Sequence, residues 1–336
     1  MAAIARRTWP MVALVLIVLA IAALAAIAPA VPQRRVTLAL INLVAVVGLY
    51  VFVGNSGVLS FGNVAFMAIG AYTSALLTMK AAQKSVFLPD LPDFIAIAEW
   101  PVVTGIVAGG FVAAIVALVV GWPLMRLSGI SASIATFAIL VVTYVVLGNW
   151  TTVTGGQNSL MGVPINVGVW TACAWAAATI AVAFVYQETR SALMLRASRE
   201  DEAAAQTSGV HIVRERLTAF VISGFLSGIA GALLGHFLGT VRVESFYLDL
   251  TFLIVAMLVI GGVGSLSGAV LGALVIAALT ELLRQIEVGF AVGSVTVAAP
   301  PGLGDAMLAL IMLLIIIFRP KGISGGREIA WPFGRG

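Results

Sequence analysis

The side chains able to do polar chemistry are gathered mainly in one island, residues 188–216, within a chain that is otherwise apolar. From 195 to 210 it reads L-R-A-S-R-E-D-E-A-A-A-Q-T-S-G-V, with Arg199, Glu200, Asp201 and Glu202 followed by Ala203, Ala204 and Ala205, and Gly209 before Val210. The chemistry this offers is electrostatic recognition, not bond making. Gly209 is expected to end a short charged helix in the left-handed conformation that glycine adopts without steric cost. Such a helix could dock on a partner protein, lie on lipid headgroups or be a solvated loop. A lipid-surface helix pairs a basic face with bulky apolar residues. An acidic centre beside alanines better suits insertion into a protein groove, which suggests a transporter driven by a soluble partner.

Catalytic chemistry finds no constellation. His211 and His236 lie far apart in sequence, and no H-E-x-x-H, G-x-S-x-G or paired-cysteine pattern occurs. A phosphate-cradling G-x-x-x-x-G-K-[ST] loop is absent too, so the chain is expected not to bind or hydrolyse ATP itself. Cys173 is the single cysteine, which excludes an internal disulfide, and its apolar setting suits packing better than metal binding. No cofactor and no metal are expected.

The elements that position the island must live in lipid. The chain is 61% hydrophobic and 10% charged, with mean hydropathy +1.13, more apolar surface than 336 residues could hide in a soluble core. Gly 35 agrees, because small residues let helix backbones approach closely in a bilayer. Net charge +4 does not imply nucleic acid: the cations are scattered between apolar runs, without a patch or an aromatic platform. Arg6, Arg7, the run 11–27 and Ala28-Pro29-Ala30 mimic a secretory signal, but the run is long and further runs follow, so a retained first helix is expected.

The fold expected is all-α and polytopic: a single transmembrane domain over 1–336 with about ten spans, eight or nine being the alternative. Their centres lie near Leu19, Val46, Ala68, Val112, Leu140, Ala178, Leu226, Val255, Val275 and Ile311. Ten spans put both termini on the island's side. Twelve Lys and Arg then share that side against six opposite, which makes it cytoplasmic; Arg34 and Arg35 are the exception.

Two Gly/Ser segments, 54–62 and 261–268, interrupt hydrophobic runs. Such breaks line central pathways in many transporters, and equally allow close helix packing. The candidate pathway residues are Ser60, Asn63, Gly70, Tyr72, Gly261, Gly262 and Ser265, with the stretches 57–72 and 261–272 expected to approach each other near the conduit. Asn42, Thr136 and Thr143 are further polar side chains within spans. Glu281 and Arg284 lie three apart on one helix face and can pair. Few other charges fall within spans, which disfavours proton-coupled transport.

Four stretches carry a resemblance to the LivM-type permease subunits of bacterial ATP-binding-cassette importers for branched-chain amino acids. They are G-V-L-S-F-G-N-V-A-F-M-A-I-G-A-Y (57–72), T-G-G-Q-N-S-L-M-G-V-P (154–164), the run from Arg196 through A-F-V-I-S to Gly231-Ala232, and I-G-G-V-G-S-L-S-G-A-V-L-G-A (260–273), with F-R-P-K-G-I closing at Ile323. They cover nearly the whole chain in order, and the third is the most specific. The resemblance implies that 199–210, within a cytoplasmic loop 188–216, couples to an ATPase. It implies a second, related permease, two cytoplasmic ATPase subunits, an external solute-binding protein and the bacterial inner membrane. The chain departs from the family pattern at Val58, Asn63 and Ser159. Leucine-like substrates are expected, with urea, short amides and aromatic or other carboxylic acids as alternatives that related permeases carry. A stand-alone carrier would not need the island, and the lack of a catalytic cluster argues against a membrane enzyme or scaffold.

Overall fold

The computed structural model describes residues 2–288, 290–292, 295–297, 300, 302–319 and 321–329. In chain order its helices are α1 (Ala2–Ile27), α2 (Ala30–Ser56), α3 (Asn63–Thr78), α4 (Ala81–Phe87), α5 (Asp93–Ala96), α6 (Val102–Leu124), α7 (Gly129–Asn149) and α8 (Thr151–Thr154). They continue with α9 (Val169–Gln187), α10 (Arg190–Glu200), α11 (Glu202–Thr207), α12 (Ile212–Leu238), α13 (Leu248–Gly261), α14 (Leu266–Val288) and α15 (Leu303–Phe318). Two-residue strands β1 (Leu160–Met161) and β2 (Thr240–Val241) pair antiparallel, as do β3 (Phe290–Val292) and β4 (Val295–Val297). Each of the ten expected centres falls on its own helix. Among the described residues eight helical segments are long and apolar enough to cross a bilayer, α13 only together with the 3-10 turn Val243–Phe246 before it; α3 and α15, at 16 residues each, rise about 24 Å.

The helices differ sharply in burial. The apolar windows of α2 and α12 are 83% and 78% buried, whereas those of α1 and α7 are 22% and 28% buried and turn the rest outward. Core helices can pack this tightly because glycines remove the side chains between them. A Cβ on Gly231 (α12) would lie 1.9 Å from the Met67 carbonyl oxygen of α3, and one on Gly109 (α6) 2.6 Å from that of Gly70. With backbones in contact, short polar side chains bridge what remains. Asn63 donates to Ser223 Oγ at 3.2 Å and to Ser227 Oγ at 2.9 Å. His236 bonds Ser74 at 2.9 Å and the Pro164 carbonyl at 2.9 Å. Phe220 makes T-shaped pairs with Phe52 and Phe66 at 5.2 and 5.3 Å between ring centres, a geometry aromatic quadrupoles favour.

The connections sort into two ends. At one end meet the α2–α3 turn, the 188–216 island and the α13–α14 turn: Arg199 donates to the Gly54 carbonyl at 3.0 Å, and a Cβ on Gly54 would lie 2.9 Å from the Val263 carbonyl. The tail joins them, with Ile323 and Ser324 amides donating to the carbonyls of Ile260 and Gly261. At the other end β1 pairs with β2, and Arg34 lies over Phe237 at 5.5 Å. There Glu281 bonds Arg35 and also reaches Arg284 at 3.5 Å, so the expected i, i+3 pair has a third member. That carboxylate neutralises one of the two arginines that break the charge asymmetry.

The same end carries a fully buried lysine outside the long helices. Lys84 Nζ donates to the Ile95 carbonyl at 2.8 Å and to that of Ala98, tying α4 to α5. Burial lowers its pKa from the ordinary lysine value, while the Glu99 carboxylate pushes it back up. Lys84→Met leaves both carbonyls without this donor, at about 1–3 kcal/mol for a buried group left unsatisfied. Limited proteolysis should then cut within 80–100 faster than in the parent, leaving the rest of the bundle intact.

Candidate functional site

The island is not one helix but two. Asp201 has extended backbone (φ −151°, ψ 110°), so α10 stops at Glu200. Its carboxylate accepts from the Ala204 amide at 2.9 Å and starts α11 as an N-cap. Sequence reasoning passed over this break because a short acidic run reads equally well as helix interior or cap. Gly209 has φ +85° and closes the stretch as expected, and the Val210 amide donates back to Ala205 at 3.1 Å.

One face of the island is bolted to the bundle. Arg199 lays its stem against Gly57, where a Cβ would lie 2.5 Å from Arg199 Cγ, and its guanidinium also reaches Glu200 at 3.1 Å. Glu202 pairs with Arg216 of α12 at 3.1 Å, and Arg216, itself buried, donates to the Leu127 carbonyl at 3.4 Å. Ala205 is buried beneath. The opposite face, with Glu200, Asp201, Ala203, Ala204 and Gln206, is exposed. A rigid projection with methyl-sized side chains between acids can enter a groove at little entropic cost. Arg216 was not singled out from sequence, although a cation opening an apolar span beside an acidic run was the available signal.

Gly209 separates conformation from contact. No atom lies within 4 Å of a Cβ built there, so only the backbone opposes a side chain. Gly209→Val should cost about 1–2 kcal/mol locally, and Gly209→Asn less, because Asn tolerates the left-handed region. Hydrogen exchange at the Val210 amide checks this: faster in the valine variant, near parental in the asparagine one.

The expected pathway residues divide into two groups that the structure does not merge. Ser60 is buried with its hydroxyl lacking a hydrogen-bond partner, and Asn63 is spent on the α3–α12 contacts. Gly70 faces the Gly228 carbonyl of α12, with a Cβ at 2.1 Å. Gly261 packs on Gly268 and Gly272 of α14, and Gly262 on Ser324 and the Lys321 carbonyl of the tail. Ser265 Oγ lies 3.0 Å from Ser324 Oγ and accepts from the Gly268 amide at 3.0 Å. Gly70 thus packs on α12 and Gly262 on the tail, while the two Gly/Ser segments meet at another point, where Gly54 lies beside the Val263 carbonyl. Small residues serve both a backbone-lined passage and helix packing, so sequence alone could not separate the two.

Tyr72 differs from its neighbours. It lines an apolar cavity of about 720 Å³ between α3, α6 and α7, with Thr73, Val116, Ile139, Thr143 and Val146. Its hydroxyl is buried and has no hydrogen-bond partner. Thr136 instead holds the α2–α3 turn, accepting from the Phe61 amide at 3.2 Å, and Asn42 leaves its side-chain oxygen unpaired. Among the described residues no cluster of His, Cys, Asp or Glu has the arrangement of a metal site.

Ten apolar helices around a glycine-packed centre, with an ordered charged segment at one end, define an all-α polytopic membrane protein. The chain belongs to the family described as "Branched-chain amino acid transport system / permease component", whose model matches residues 31–316. The high-affinity branched-chain amino acid transport system permease protein LivM of Escherichia coli K12 is 28% identical over 85% of this chain and 68% of its own. LivH from the same organism, also named a permease of that system, is 23% identical over 88% of this chain and 94% of its own. A probable branched-chain amino acid permease LivH of Methanocaldococcus jannaschii is 30% identical over 41% of this chain and 42% of its own. No solved structure matches the chain. The resemblance that the four stretches carry to permeases of this family is thus borne out, and LivM is among the proteins the chain is similar to.

Proposed function

We infer that the chain is one permease half of an ATP-binding-cassette importer for branched-chain amino acids in the bacterial inner membrane. A second homologous permease, two cytoplasmic ATPases that hydrolyse the ATP and an external solute-binding protein complete it. The observation that carries this reading is the island fixed through Arg199 and Glu202 while Ala203 and Ala204 stand exposed. A segment rigid at its base and small-featured at its tip transmits a push from a soluble motor.

The excess of cations at the island's end makes that end, both termini included, cytoplasmic. Cysteines introduced at the exposed positions Gln157 and Ser245 should label from outside with impermeant reagents, and one at Gln206 only after permeabilisation. The native Cys173 is buried and should stay silent. Outside labelling at Gln206 removes both the orientation and the coupling role.

The passage runs beside Tyr72, whose free hydroxyl can meet a polar group of a solute that otherwise contacts aliphatic walls. In this reading Gly70, Gly261 and Gly262 hold the wall helices at backbone contact, with Ser60, Asn63 and Ser265 at their junctions. Of the departures, Val58 is buried in the α2–α3 turn and Asn63 against α12, so these two do not weigh against a leucine-like substrate.

Because Glu202 is an internal partner of Arg216, the clean coupling variants are Ala203→Trp and Ala204→Trp. Each should cut ATPase co-purification and leucine uptake about tenfold, the size of a ~1.4 kcal/mol loss, while the permease stays monodisperse. Normal co-purification and uptake would make the segment a solvated loop. Uptake of urea or an aromatic acid in place of leucine would keep the importer and change the substrate.

A further inference from the structure

Beside the island, at the mouth of α6 and α12, lies an open groove of about 740 Å³ lined by Trp122, Arg126, Glu202, Val213, Arg214 and Arg216. Its charge is unbalanced. Arg216 is matched by Glu202, but Arg126 and Arg214 add two exposed cations with no carboxylate of their own on the wall. Arg216 is also incompletely satisfied: its Nε is buried and has no hydrogen-bond partner. Above the groove, α6 turns an apolar stripe outward through Ile115, Val119 and Trp122, spaced i, i+4, i+7 along one helix face. Trp122 closes the stripe, and the Arg126 guanidinium sits 6.0 Å from its ring. A tryptophan above an arginine at the end of a lipid-facing stripe marks headgroup depth.

We propose that this groove binds the phosphate of an anionic phospholipid, with an acyl chain lying along Ile115, Val119 and Trp122. The acyl track is what favours a lipid over an acidic peptide of a protein partner or a free phosphate ion. Arg126 and Arg214 supply the long-range attraction, and Arg216 with the first turn of α12 forms the floor. The groove wall includes Glu202, Gln206 and Val210 of the island, so a bound headgroup would brace the segment read above as the coupling element. Lipid binding itself does not depend on that reading.

The test uses the full chain in detergent, titrated separately with dioleoylphosphatidylglycerol and dioleoylphosphatidylcholine and read by native mass spectrometry. The parent should retain phosphatidylglycerol at concentrations where phosphatidylcholine is lost. Arg126→Gln with Arg214→Gln should weaken that retention about thirtyfold, in line with the contribution of two cations near an anionic surface. The double lysine variant should keep most of it. Arg216 is left intact because the fold uses it, and an unchanged unfolding midpoint in phosphatidylcholine confirms that the variants are folded. Equal retention of both lipids, or full retention by the glutamine variant, overturns the proposal. Competition by millimolar inorganic phosphate assigns the groove to a free anion and overturns the lipid. Loss of ATPase co-purification in the glutamine variant with lipid retention unchanged assigns it to a protein and overturns it as well.

Discussion

Gly70→Leu should stop the bundle from assembling instead of plugging a passage through it. The Cβ alone would sit 2.1 Å from the Gly228 carbonyl oxygen and 2.6 Å from Gly228 Cα, and the facing atoms are backbone of α12, which no rotamer change can move. On its other side α3 is held by α6, where a Cβ on Gly109 would meet the Gly70 carbonyl at 2.6 Å. The helix has no direction in which to retreat. Overpacking that side chains can absorb costs about 1–3 kcal/mol; here the helix axes must separate, which also breaks the Asn63 bonds to Ser223 and Ser227. We expect a cost above that range, seen as loss of the monodisperse peak in detergent. Gly168→Ala, where no atom lies within 4 Å of the new Cβ, should leave the protein unchanged. A Gly70→Leu protein with parental thermal stability and lost uptake would return Gly70 to the passage.

The spans were legible because bilayer thickness fixes the length of an apolar run, and that signal is local. Gly209 was similarly readable as an end, since a left-handed residue closing a helix leaves its mark at one position. What escaped notice depends on distance. Arg35 bonds Glu281 from 246 residues away, and Arg199 reaches Gly54 across 145, so nothing in either neighbourhood names its partner. Composition also hides choice between uses of one residue type. Asn63 and Tyr72 are both polar residues of α3, yet Asn63 is consumed by α12 and Tyr72 keeps a free hydroxyl at a cavity. Only the neighbouring helices decide which is which.

The tail holds the second large expectation. Glu328 accepts from the amides of Leu266 at 2.8 Å and Ser267 at 3.0 Å, and from the Ser267 hydroxyl. These amides open α14, where the helix offers them no internal acceptor and its dipole favours a negative charge. A carboxylate from 62 residues downstream thus does what a local N-cap does elsewhere, and the Ile329 amide donating to Ser267 Oγ fastens the tail beside it. The tail is also threaded against the α13–α14 turn, where a Cβ on Gly322 would lie 2.5 Å from Gly262 Cα. Glu328→Ala should therefore release three donors at once and free the tail, at about 2–4 kcal/mol given the cost of unsatisfied buried groups and the lost helix-end charge. Glu328→Gln keeps an acceptor without the charge and should fall between the two. The unfolding midpoint in detergent should order the proteins as parent, glutamine, alanine, and hydrogen exchange at the amides of Leu266 and Ser267 should rise in the same order. If the alanine variant matches the parent in both measurements, the tail is a passenger and the α13–α14 turn is held by its glycine packing alone.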